Sequence, residues 1–162
     1  MNFGIITILH IVAIVLSIIE LGLTAYGVSL WASPWGNWSP DRLNFMLFNS
    51  IWSLLVLAYL GLTPLFMPRL FHRMVALGAL AVTVIFWFAG SIALAVWLGP
   101  RYGCSATAAC GAIQAAIAFG FFLWAIFTAL LVMEVLEFSR SRSGVTADQH
   151  SPHTKTQPYT GA

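Results

Sequence analysis

Four long apolar stretches set what this sequence can fold into. Between Met1 and Leu136 the charged residues are Glu20, Asp41, Arg42, Arg69, Arg73, Arg101 and Glu134. They divide the chain into stretches at 4–30, 43–66, 74–98 and 112–136, the first interrupted by His10 and Glu20. Each exceeds the roughly 20 residues with which a helix crosses about 30 Å of hydrocarbon. Helix is the expected form, because every unpaired backbone group in lipid carries a heavy cost. A transmembrane barrel would alternate apolar and polar residues in segments of about ten, and no such segments occur. The sequence predicts an all-α membrane protein, a four-helix transmembrane bundle.

Composition excludes the soluble alternatives. Of 162 residues, 60% are hydrophobic and only 7% charged, against roughly a quarter charged in a soluble domain. An ordinary water-facing surface cannot be built from this. The net charge of +2 is thinly spread, so the basic footprint of a nucleic-acid binder is missing. Turn-forming residues separate the spans: Ser33-Pro34-Trp35-Gly36 and Ser39-Pro40-Asp41 after the first, Pro64 and Pro68 at the end of the second, Gly99-Pro100 after the third. The first stretch reads as a retained helix, since it has no positive leader and no small-residue cleavage site. Residues 1–138 form the expected membrane domain. From Ser139 to Ala162 the composition turns to Ser, Thr, Gln, His and Pro, and a disordered cytosolic tail is expected there.

Charge suggests the orientation. With both termini cytosolic, Arg69, Arg73, Arg140 and Arg142 lie inside near the membrane and Arg42 and Arg101 outside, as the positive-inside rule favours. Cys104 and Cys110 then share the second outer loop, where a disulfide would persist. They either bridge, shaping that loop, or remain two thiols near the interface; the spacing offers no zinc pattern. Asn37-Trp38-Ser39 fits the N-glycosylation pattern, set against an unmodified loop asparagine crowded by Pro40 and the membrane.

Glu20 is the sharpest single feature, since an ionisable residue at membrane depth is a functional hypothesis by default. Matched for depth, the other spans bring Asn49, Ser50, Ser53 and Ser91 towards it, an expected intramembrane polar layer. Its bland role is a protonated carboxyl bridging helices; its sharp role is a proton or lipid-headgroup site. His10 reads as a satisfied helix histidine, and Glu134 and Glu137 as interfacial. His150 and His153 belong to a solvated tail. No paired carboxylates, nucleophilic triad or phosphate-binding glycine loop emerges, so no catalytic residue, cofactor or metal is assigned. The inverted repeats and broken helices of many transporters are missing as well.

Two packing features complete the reading. Ala108, Ala112, Ala116 and Gly120 recur every four residues, a small-residue stripe for close helix approach, within the bundle or between copies. Trp52, Trp87 and Trp124 fall mid-span, where they fill the bundle, whereas Trp31, Trp35, Trp38 and Trp97 fall at span ends, as interfacial belts prefer. Past the last span, Arg140 and Arg142 can attract anionic headgroups, and phosphorylation at Ser141 or Ser143 would oppose that.

The segments Leu21-Gly22-Leu23-Thr24-Ala25-Tyr26, Leu43-Asn44-Phe45-Met46-Leu47-Phe48 with Ile51-Trp52-Ser53-Leu54-Leu55, and Gln114 through Trp124 follow one another in order. In this combination the chain resembles the fungal MARVEL-domain proteins, which include the non-classical export protein family, over residues 3 to 138. Cys104 and Cys110 look like that family's loop cysteines. Claudins and tetraspanins fit less well, because their outer-loop cysteine patterns are missing.

The resemblance implies four helices with cytosolic termini, no catalytic residues, and work in vesicle trafficking, membrane apposition or plasma-membrane microdomains. The expectation is a non-enzymatic organiser of microdomains or vesicle-associated membrane. Its partners would be the lipid bilayer and other membrane proteins or further copies of itself. It would sit in the plasma membrane or in secretory or endosomal vesicles. Two rival readings are a small proton-coupled transporter or sensor using Glu20, and an accessory subunit of a membrane enzyme complex.

Overall fold

A computed structural model describes residues 3–30, 40–66, 72–99 and 108–148. They form four helices: α1 (Phe3–Ser29), α2 (Asp41–Phe66), α3 (Arg73–Leu98) and α4 (Ala108–Asp148). Each is long and apolar enough to cross a membrane. The chain is an all-helical, four-span bundle.

The helix ends follow local chemistry. The Pro40 carbonyl accepts from the backbone N–H of Leu43 and Asn44, and Asp41 adds its charge to the positive end of α2. At α3 the His72 carbonyl plays the same part for Val75 and Ala76. That helix closes where the Gly99 N–H donates to the Ala95 carbonyl, 3.1 Å away. A Cβ on Gly99 would sit 2.9 Å from the Val96 carbonyl oxygen, so the closing turn suits glycine.

One boundary differs from the sequence expectation, that of α4. α2 ends at Phe66, where the second apolar stretch was expected to end, with Pro64 in its last turn. Proline there removes one backbone bond in a last turn, too little to stop a helix supported on its earlier turns. α4 does not end near Leu136 but runs on to Asp148, so residues 139–148 are helical where a disordered tail was expected. Its 41 residues measure about 60 Å at 1.5 Å per residue, twice the hydrocarbon thickness. An established helix extends cheaply, one bond per residue fixed. Contacts at the boundary also help: an Arg73 Nη2–Glu137 Oε2 ion pair at 3.8 Å, and the Arg73 guanidinium 5.7 Å from the Phe138 ring centre.

The packed pairs are α1–α2, α2–α3, α3–α4 and α1–α4, a four-cornered ring. Neighbours run antiparallel. Between α2 and α3, Asn49 meets Phe86 and Trp52 meets Thr83. Between α3 and α4, Arg73 meets Glu137 and Ser91 meets Gly120. Gly27 lies against Leu43 where α1 hands over to α2. With four antiparallel helices, the start of α1 and the end of α4 come to one side.

One rule places the core. One seam of buried residues consists of Ala13, Ser17, Glu20, Thr24 and Gly27 on α1, and of Leu43, Met46, Ser50, Ser53, Leu57 and Leu60 on α2, where Asn49 and Val56 are buried beside it. On α3 the seam is Ala76, Leu80, Thr83, Trp87, Gly90 and Leu94, with Ser91 buried beside it, and on α4 it is Ile113, Ala116, Gly120, Leu123, Phe127 and Leu130. Along this seam steps of three and four alternate, a mean period of about 3.5, the period that suits left-handed packing of neighbouring helices. The expected four-residue stripe follows this seam only in part. Ala116 and Gly120 are buried, Ala112 is half-buried and Ala108 exposed. A strict step of four gains about 40° per repeat on an α-helix, so it drifts off a seam.

Candidate functional site

The seam of α1 brings polar groups to the bundle centre. Ser17, Glu20 and Thr24 are fully buried on it. Across from them, Asn49, Ser50 and Ser53 on α2 and Thr83 and Ser91 on α3 are fully buried too. The five residues expected as a polar layer, Glu20, Asn49, Ser50, Ser53 and Ser91, all point inward. Reading depth along the sequence missed Ser17, Thr24 and Thr83. The three-four alternation through Glu20 is the signal that finds the first two.

Three hydroxyls in this region are satisfied by their own helix. Thr24 Oγ1 donates to the Glu20 carbonyl at 2.7 Å, Ser50 Oγ to that of Met46 at 3.0 Å, and Thr83 Oγ1 to that of Ala79 at 2.7 Å. Such back-bonding lets a hydroxyl sit in an apolar helix without a partner elsewhere. Three bonds cross between α2 and α3. Asn49 Nδ2 donates to the Phe86 carbonyl at 3.0 Å, Trp52 Nε1 to Thr83 Oγ1 at 3.0 Å, and Trp87 Nε1 to Ser53 Oγ at 2.7 Å. Two of the three mid-span tryptophans are therefore bonded across helices as well as packed. Trp124 packs on Phe88, with ring centres 5.5 Å apart.

Glu20 stands apart from this pattern. Neither of its carboxyl oxygens has a hydrogen-bond partner, and Ser17 Oγ, Asn49 Oδ1 and Ser91 Oγ share that state. Two glycines bring the surrounding helices close. A Cβ on Gly90 would lie 2.7 Å from Met46 Sδ and 3.1 Å from Asn49 Nδ2. One on Gly120 would lie 2.5 Å from Ser91 Oγ and 3.1 Å from Met46 Cε.

A second group of charges occupies the end of the bundle where α1 and α3 begin. Glu134 lies within electrostatic reach of Glu137, Arg73 and His10. His10 is half-buried, and its Nδ1–H donates to the Ile6 carbonyl at 3.0 Å, with Nε2 unpartnered. Among the described residues no three His, Cys, Asp or Glu side chains gather as a metal site. Cys110 lies in the first turn of α4; Cys104, Asn37, His150, His153, and the end-span Trp31, Trp35 and Trp38 lie outside the described residues. Ser141 and Ser143 fall in the continuation of α4.

A family model for the MARVEL membrane-associating domain matches residues 3–133. The chain belongs to the MARVEL family. No curated protein and no solved structure matches it. The match runs from the start of α1 through the buried part of α4, so the whole polar layer lies inside this MARVEL domain. The extension of α4 from Glu134 onward lies beyond it. A multi-pass, membrane-associating protein is what family and fold together describe.

Proposed function

We propose that this MARVEL protein is a non-enzymatic lateral organiser of membrane, working in microdomains or on vesicle-associated membrane. The observation that carries this reading is hydrophobic length. Two spans, Gly4–Ser29 and Arg73–Leu98, have 26 residues each, or about 39 Å of helix against about 30 Å of average hydrocarbon. Such a bundle tilts or partitions into thicker bilayer, and thickness differs among membranes enough to sort proteins. The sterol-rich plasma membrane is thicker than the endoplasmic reticulum. Exposed side chains on each helix suit lipid contact: Ile8 and Ile18 on α1, Leu55 on α2, Ile85 and Val96 on α3, Phe122 on α4.

Both termini are cytosolic in this reading, which puts Arg73 and Arg140 on the positive side. The resemblance to fungal non-classical export proteins points to the same membranes. Cys104 and Cys110 would form the outer-loop disulfide. Partners would be lipid and other membrane proteins, or further copies of the chain.

Imaging the full chain with a C-terminal fluorescent tag in its native cell tests the proposal. Stable patches in the plasma membrane, or enrichment on vesicles, are expected. A uniform distribution would overturn it. The burial of Glu20 favours one second reading, proton-coupled transport or sensing, which proton-dependent flux in liposomes would reveal.

A further inference from the structure

The inward seams of three helices run into ionisable residues at one end of the bundle. Continued by the same alternation of three and four, the seam of α1 passes from Ala13 to His10 and Ile6. That of α3 passes from Ala76 to Arg73, and that of α4 from Leu130 to Glu134 and Glu137. All five of these end residues are half-buried. They also share a level. Counted out from the paired residues Gly27 and Leu43, Asn49 and Phe86, and Arg73 and Glu137, His10 stands level with Leu60 on α2, Val75 on α3 and Val135 on α4. Glu134 adjoins that level, and Arg73 and Glu137 lie about half a helical turn further out.

The charges at this end do not balance while His10 is neutral. Arg73 Nη2 pairs with Glu137 Oε2 at 3.8 Å, and Glu134 lies in the field of Glu137, Arg73 and His10. Two carboxylates answer to one guanidinium. His10 is set to supply the missing charge. Its Nδ1–H donates to the Ile6 carbonyl at 3.0 Å, so in the neutral ring Nε2 carries the lone pair, buried and without a partner.

The other surroundings of His10 carry no competing charge. The helices packed against α1 are α2 and α4. On α2 the seam at this level holds Leu60, and Tyr59 beside it is the nearest titratable side chain. On α4 the groups are Glu134 and Glu137, with Arg140 further out. α3 reaches the cluster across α4 through Arg73, and its His72 is exposed. Arg69 lies outside the described residues.

We propose that His10, Arg73, Glu134 and Glu137 form a proton-operated latch between α1 and α4. A proton taken from water onto His10 Nε2 turns that atom into a donor for the Glu134 carboxylate. The layer then holds two positive and two negative charges. Loss of the proton returns a lone pair towards a carboxylate and undocks the start of α1. Of the four spans α1 is the least buried, so a contact at its end governs how it sits. The Arg73 and Glu137 side chains are about one-third exposed, which lets protons reach the layer. Histidine is the side chain whose ordinary charge change falls between about pH 5 and 8, and the latch works in that interval.

The distance between the helix ends tests this. Spin labels are introduced as non-natural side chains at the exposed positions 5 on α1 and 136 on α4, in the full chain in lipid nanodiscs. A narrow distance distribution at about pH 5 and a broader, longer one at about pH 8 are expected. His10→Gln and Glu134→Gln should each abolish the difference, whereas Glu20→Gln should retain it. Identical distributions at the two pH values in the chain with only the labels would overturn the proposal without recourse to those variants. So would a response that survives both His10→Gln and Glu134→Gln. The ¹⁵N resonance of His10 Nε2 is an independent readout: it must report protonation of that nitrogen over the same interval as the distance change. A ring that stays neutral throughout would overturn the latch equally.

Discussion

α1 and α3 are both 26 or 27 residues long and similarly apolar, yet they bury opposite kinds of surface. α1 turns Ala13, Ser17, Glu20, Thr24 and Gly27 inward and leaves Ile8, Ile11, Ile14, Ile18 and Ile19 exposed. α3 buries Leu80, Trp87 and Leu94 alongside its small residues. In water the first arrangement would be inverted. In lipid, acyl chains solvate isoleucine as well as a core does, so helices associate through close approach, packing and polar bonds. α1 docks by its small and polar seam; α3 docks by volume and by the Trp87–Ser53 bond.

The comparison breaks most sharply at Trp87. Trp87→Ala should cost about 3–5 kcal/mol, as buried aromatic truncations do, measured by reversible unfolding in mixed micelles. Trp87→Phe removes mainly the bond to Ser53 and should cost about 0.6–1.7 kcal/mol, the range for interhelical bonds in membranes. Equal losses in the two variants would deny α3 its packing role.

Leu94 and Val96 sharpen it further. Leu94 is fully buried and Val96 is 75% exposed. Leu94→Ala should cost about 2–5 kcal/mol; Val96→Ala should change stability little, because lipid fills the space. A similar pair on α1, Ala13→Leu against Ile18→Ala, should show the same contrast with the sign of size reversed.

Gly120→Ala is next in size, at about 1–3 kcal/mol for overpacking, since its Cβ would meet Ser91 Oγ at 2.5 Å. Ser91→Gly in the same chain should recover much of that loss in a double-mutant cycle. Gly78→Ala, with nothing within 4 Å, should be neutral or gain up to about 1 kcal/mol of helix propensity.

A small effect is expected of Arg73→Ala. The partners of its ion pair with Glu137 are about one-third exposed, so about 0–1 kcal/mol is expected, and less at high salt. A large salt-insensitive loss would show that the α3–α4 end contact holds the bundle together.

The sequence by itself determined the number of helices, their spans to within a few residues, and Glu20 as the residue to watch. These follow from length and charge placement: hydrocarbon admits a charged side chain so reluctantly that the seven charges before Leu136 mark where the chain leaves the membrane or turns inward. The side of each helix that faces its neighbours was far less legible. Apolar residues surround α1, so its hydrophobic pattern carries no inward direction, and Ile18 and Ala13 look equally suited to the core. Depth counting found Asn49, Ser50, Ser53 and Ser91 but not Ser17 or Thr83. A four-residue stripe was visible where the packing follows three and four. Only the tertiary structure decided these, because close packing of four tilted helices fixes the 3.5-residue period. The same packing decided which buried oxygens have partners, and only the structure carries α4 past Leu136 to Asp148.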